Sequence, residues 1–222
     1  MNLINQTELL GLGNLPSAAP AKRGVKAGMK AKTGAVSSKN ATGKAMYERM
    51  LYMLPPEIQQ GIRDGRLQLV DEILYSVKDV RNRRDLELME SGDNKEVGLT
   101  NVDKRKIEAN KWCLLTGIQL LSGRNADPAK TTNFDVCKPQ ILNGEFELEV
   151  GNTVIVPNIS CTVFGTKGRA DALPGLWNDF DPQFIVPNTE IKPRLKLAAE
   201  MPATEQDTNI FFAMHVVSVA KN

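Results

Sequence analysis

The chain is poor in the side chains that usually carry chemistry. Its 222 residues include one histidine, three cysteines and two tryptophans. A lone imidazole cannot build the multi-histidine centres that hold iron, zinc or copper. As a general base, His215 needs a nucleophile and an orienting acid, and its strand-like neighbours Met214 and Val216 supply neither. The sequence therefore assigns it as a satisfied or partner-facing side chain. Cys113, Cys137 and Cys161 are odd in number, far apart and without CxxC spacing, which argues against a zinc framework. Their apolar neighbours indicate buried free thiols, as expected in a reducing compartment. No apolar run approaches the roughly 20 residues of a membrane-spanning helix, and the start lacks the layout of a secretory signal. The sequons at Asn5, Asn40 and Asn158 are then coincidental. GxSxG, HExxH, EF-hand and phosphate-loop signatures are also missing. "GLGNLP" lacks the third glycine and the Lys-Ser/Thr that a phosphate loop needs. Asp179 and Asp181, two apart in "WNDFDPQ", have the oxygen chemistry of a Ca²⁺ ligand pair, but capping of turns ahead of Pro182 explains them more simply. The expectation is a non-enzyme with no metal and no cofactor.

Charge is nearly balanced in total and unequal in distribution. The net charge is +2, yet residues 1–45 hold Lys22, Arg23, Lys26, Lys30, Lys32, Lys39 and Lys44 against Glu8 alone, which leaves the rest of the chain at −4. Cations spaced by Ala, Gly and Ser suit contact with phosphates without base readout. The arm lacks aromatic residues for stacking on single strands. Leu3, Ile4, Leu9, Leu10, Leu12 and Leu15 form a cluster broken by Gly11, Gly13 and Pro16, too short for a stable free helix but able to dock elsewhere. Residues 1–45 are read as a flexible or partner-ordered arm, which leaves three roles open: a solubilising tail, a contact to neighbouring subunits, and a nucleic-acid contact.

Beyond the arm, Met46, Met50 and Met53 recur at helical spacing, Pro55-Pro56 interrupts, and a short turn restarts with Pro56 near N1, giving a helical lead-in over 46–63. Residues 66–77 fit a strand and a helix nearly equally. "NRRDLELMESGDN" reads as a short strand and a turn, and 111–123 as a strand buried on both faces. Residues 162–187 read as irregular, with Trp177 and Phe180 as anchors. "PNTEIKPRLKLAA" alternates, with Ile191, Leu195 and Leu197 inward, and Pro193 suggests an edge or a bulge. The last strand, "NIFFAMHVVSVAK", is apolar on both faces. Short strands separated by turns favour an antiparallel β-sandwich over βαβ winding, and residues 46–222 suit one eight-stranded jelly roll.

The hairpin "GEFELEVGNTVIVPNIS" is inconsistent about which face is wet. Phe146, Leu148 and Val150 oppose Glu145, Glu147 and Glu149, and Gly151-Asn152 makes the turn. A regular register then puts Ile155 beside Leu148 and sets Val154 and Val156 among the glutamates. A bulge, a covering helix or a neighbouring copy would each resolve this. Taken with the two-faced last strand, the pattern favours assembly, with Val154, Val156, Phe211, His215 and Val217 at an interface.

Together, the leucine-bearing start, the Gly/Ala/Lys arm, the short helix, and the strands "NKWCLLTGIQLL", "LNGEFELEVGNTVIVPN", "FIVPNTEIKPRLKLAA" and "TNIFFAMHVVSVA" resemble a jelly-roll virion protein of an icosahedral, bacterial virus. The resemblance spans residues 100–222 by pattern and 1–99 by composition. It implies a mainly β capsid subunit with a short N-terminal helix and an extended basic arm. Such a subunit assembles in the host cytoplasm, resides in the virion, contacts identical subunits and other virion proteins, and touches the genome through its arm. The body is too short for a double jelly roll, which favours a single-jelly-roll capsid, vertex or minor virion protein. The competing expectation is a nucleic-acid-binding accessory protein with a β dimerisation domain. A carbohydrate-binding or enzymatic sandwich is disfavoured by the single histidine and the two tryptophans.

Overall fold

A computed structural model describes residues 43–165 and 177–221, which belong to one compact unit. The lead-in forms as its proline spacing dictates. Helix α1 (Gly43–Arg49) runs into a 3₁₀ turn at Leu51–Met53, and α2 (Pro56–Arg63) starts with Pro56 at a position where no backbone donor is needed. Met46 and Met50 pack inward from this lead-in, whereas Met53 is exposed. The lead-in begins three residues before the expected boundary at 46, so Gly43–Ala45 belong to α1 rather than to the arm.

Among the described residues nine strands follow, and every pairing is antiparallel: β1 (Leu67–Asp79), β2 (Asp85–Glu87), β3 (Cys113–Arg124), β4 (Asp135–Val136), β5 (Glu145–Val150), β6 (Thr153–Ser160), β7 (Asn178–Ile185), β8 (Ile191–Lys196) and β9 (Thr208–Lys221). A short helix, α3 (Pro139–Leu142), leads into β5. One sheet runs β1-β9-β3, and the far side of β3 is shared between β7 along Cys113–Ile118 and β4 along Leu121–Ser122. The other sheet runs β2-β8-β5-β6. The chain is thus mainly β, with two antiparallel sheets that share a core, as a sandwich requires.

That core lies between the sheets. Phe146 packs against Phe164 and Phe212 at centroid distances of 5.5 and 5.6 Å, amid Leu115, Leu148 and Met214. A second cluster joins the outer side of the first sheet to the lead-in, with Tyr47 and Leu54 on Leu114, Val217 and Val219. Fully burying each such side chain contributes roughly 1.5–3 kcal/mol.

This two-sided packing explains the ambiguity of residues 66–77. Leu67 and Leu69 face the lead-in cluster, while Leu74 enters the main core, so the apolar face changes midway along a strand that pairs β9 from Leu67↔Lys221 to Asp79↔Asn209. The segment is a strand because β9 supplies a full-length partner. Residues 111–123 are the buried strand that the sequence indicated.

Three expectations need correction. Residues 162–187 are not all irregular, because β7 occupies 178–185. Its Pro182 sits in the gap between the pairs Leu115↔Gln183 and Gly117↔Asp179, where no ladder donor is required. Pro193 marks neither an edge nor a bulge. It lies opposite Leu148 in a strand flanked by β2 and β5, and its carbonyl accepts from Leu88 N just past the point where β2 ends at Glu87.

The third correction concerns the hairpin. Gly151 takes φ +63, which the two-residue turn requires. Val150 pairs with Thr153 and Glu149 with Val154, but Leu148 pairs with Val156. Ile155 is the extra residue of a bulge. The bulge places Val156 in the core at 7% exposure and leaves Val154 at 48%. Val156 therefore needs no neighbouring copy to cover it. A Val156→Asp substitution is expected to cost more than about 3 kcal/mol by burying an unpaired charge, whereas Val154→Asp should stay within about 0.5 kcal/mol. Urea denaturation of the two variants checks the register.

Candidate functional site

The two outer faces of the sandwich differ in chemistry. On the second sheet, β8 places Lys192, Arg194 and Lys196 opposite Glu149, Glu147 and Glu145 of β5. Lys192 Nζ is 2.6 Å from Glu149 Oε1, and this bond holds the Glu149 carboxyl below its usual range. Arg194 reaches Glu147 at 3.6 Å. On the β2 side, Arg105 bridges Glu87 at 3.0 Å and Glu190 at 3.3 Å. Rows of alternating charge thus run across β2, β8 and β5. The face neutralises its own charges.

The first sheet carries the lead-in instead. Its central strand, β9, is covered on both sides by the chain itself. Val217 is buried beneath Tyr47 and Leu54, so its assignment to an intersubunit interface does not hold. Phe211 is half-buried, with Tyr75 stacked on it at 5.8 Å and Phe134 at 5.1 Å. Of the residues expected at an interface, only Val154 is strongly exposed.

His215 stands between these zones and gathers a cluster the sequence did not reveal. Its Nδ1 lies 2.7 Å from Thr116 Oγ1 of β3, its Nε2 lies 3.9 Å from Asp71 Oδ1 of β1, and its ring is 5.6 Å from Trp177. Lys44 of α1 approaches the other oxygen of Asp71 at 3.6 Å. Gly43 makes this approach possible, because a Cβ there would lie 2.7 Å from Val217 Cγ2 and 3.4 Å from His215 Cε1. Lys44, expected on a free arm, is instead paired on the body. The other six basic arm residues, Lys22, Arg23, Lys26, Lys30, Lys32 and Lys39, lie outside the described residues, as does the side chain of Phe180. Trp177 is half-buried. Asp71 and Thr116 were missed because only the cross-strand register brings them to His215, and no local spacing encodes that.

The thiols are poorly placed for nucleophilic chemistry. All three cysteines are buried and free. Burial pushes the thiols of Cys113 and Cys161 up to about 12 and that of Cys137 higher still. Asp179 and Asp181 belong to β7, not to a loop, and among the described residues no group of three or more His, Cys, Asp or Glu could hold a metal. A polar cavity of about 380 Å³ beneath β1 is lined by Ser76, Lys78, Glu90 and Asp93. Its carboxylates already hold the chain's own ammonium, with Lys78 Nζ 2.6 Å from Asp93 Oδ1 and 3.7 Å from Glu90 Oε2. No described helix is long and apolar enough to cross a membrane.

No protein family, curated protein or solved structure matches the chain.

The thiol environments yield a direct expectation. In the native protein at pH 8 the three cysteines should alkylate at least about tenfold more slowly than in denaturant, since neither exposure nor thiolate is provided. Iodoacetamide labelling followed by mass spectrometry checks this. Rapid native labelling of Cys113 would contradict its placement.

Proposed function

We propose that the chain is a jelly-roll structural subunit of a virion that assembles with copies of itself into an icosahedral shell, its N-terminal arm contacting neighbours or the packaged genome. The observation that carries this reading is the nesting of strand pairs. Setting aside the two-residue β4, the first strand pairs with the last (β1 with β9), the second with the second-last (β2 with β8), then β3 with β7 and β5 with β6. This is one long hairpin folded on itself. Rolling it up adds the contacts β9 with β3 and β8 with β5, so the sheets read β1-β9-β3-β7 and β2-β8-β5-β6. That order is what two Greek keys in a jelly roll produce.

Fold alone does not select a function. Assembly is favoured by the +5 charge of residues 1–42 ahead of a body at −3, a division suited to an arm facing phosphates while the body faces its copies. Val156 and Val217, covered by the chain itself, supply no contact between subunits. Tyr52, Met53, Val97, Val154, Val163 and Val186 remain exposed for contacts between subunits.

Sedimentation and electron microscopy of the full chain, beside a variant lacking residues 1–42, test the proposal. Closed shells or large rings are expected, as is salt-sensitive binding of duplex DNA that falls at least about tenfold between 50 and 200 mM salt and is lost with the arm. A small oligomer that binds DNA stoichiometrically without forming shells would favour the accessory-protein reading. A strict monomer with no affinity for nucleic acid would overturn both.

A further inference from the structure

We infer that His215 makes the root of the N-terminal arm pH-sensitive, so that its protonation competes with Lys44 for Asp71 and loosens the first turn of α1 from the sheet. This inference concerns α1 on its own sandwich and does not rest on the virion reading.

Three observations meet at one point. Asp71 is shared, with one oxygen 3.6 Å from Lys44 Nζ and the other 3.9 Å from His215 Nε2. The chain passes close to the sheet here: a Cβ on residue 43 would lie 2.7 Å from Val217 Cγ2, with Asp71 Oδ1 and His215 Cε1 each 3.4 Å away. His215 is also the sole histidine of the sequence, and imidazole is the one side chain whose ordinary titration falls between pH 5 and 8.

Thr116 lets the ring change charge without moving. A hydroxyl has one proton and two acceptor sites. Beside a neutral ring it donates to Nδ1 at 2.7 Å. Beside a protonated ring it accepts from Nδ1–H and turns its own proton to the carbonyl oxygen of His215, 3.2 Å away.

Among the described residues, the charged groups of the packed elements at this point are Asp71 from β1, Lys44 from α1 and Asp179 from β7, whose Oδ1 is 3.5 Å from the Cβ position of Gly117. Strand β3 contributes only the uncharged Thr116. As pH falls the ring gains charge, draws on Asp71 and repels Lys44. The Lys44–Asp71 attachment is therefore stronger beside the neutral ring and weaker beside the charged one. Tyr47 remains seated on Phe184 with ring centroids 5.1 Å apart, so loosening is confined to the first turn.

The test is amide hydrogen exchange of residues 43–49 in the full chain, corrected for the intrinsic pH dependence of exchange. Lowering the pH from 7.5 to 5.5 should reduce protection about two- to fivefold, the scale of one partly exposed ion pair. His215→Gln should abolish this pH dependence while keeping protection high. Lys44→Gln should give low protection at both pH values. Equal protection of the native chain at the two pH values would overturn the inference. So would the same loss in His215→Gln, which would assign the effect to another group.

Discussion

Burial of β9 on both faces is the constraint from which the rest of the molecule follows. Ile210, Phe212, Met214 and Val216 require a sheet opposite them, and the β2-β8-β5-β6 sheet provides it. Val217 and Val219 require cover on the other side, and the lead-in helices provide that. With β1 and β3 paired along nearly its whole length, β9 has no free edge. The strand is a centre around which the rest of the chain is arranged.

The two remaining outer surfaces divide their labour. The second sheet presents rows of paired charge, which stay solvated and discourage non-specific adhesion between sheets. The first sheet hides its apolar stripe beneath a lead-in whose start is fixed by Gly43, Lys44, Asp71 and His215. The point at which the basic arm joins the body is thus also where the only imidazole sits.

Much of this architecture was legible in the sequence, and the gaps have physical causes. Period-two alternation located β5 and β8, the doubly apolar run located β3, and Pro55-Pro56 divided the lead-in. The segment 66–77 could not be assigned because its apolar residues serve two cores in turn. β7 was hidden by Asp179, Asp181 and Pro182, which a strand with only β3 as its partner tolerates and a central strand would not. The hairpin's mixed face is compatible with a bulge, a covering helix or a neighbouring copy. A single extra residue, Ile155, sets Val156 on the core face while Val154 stays outward, which periodicity alone does not reveal. The His215 cluster was not legible at all. Its members lie on β1, β3, β9 and α1, and only the folded register makes them neighbours.

The central claim is that the chain itself covers both sides of β9. The most direct test is equilibrium unfolding of residues 43–222 across a thousandfold range of protein concentration. One cooperative transition is predicted that persists at the lowest concentrations, where no oligomer forms. A body that is unfolded at high dilution and folds only as an oligomer would contradict this, because β9 would then depend on a second copy for its cover.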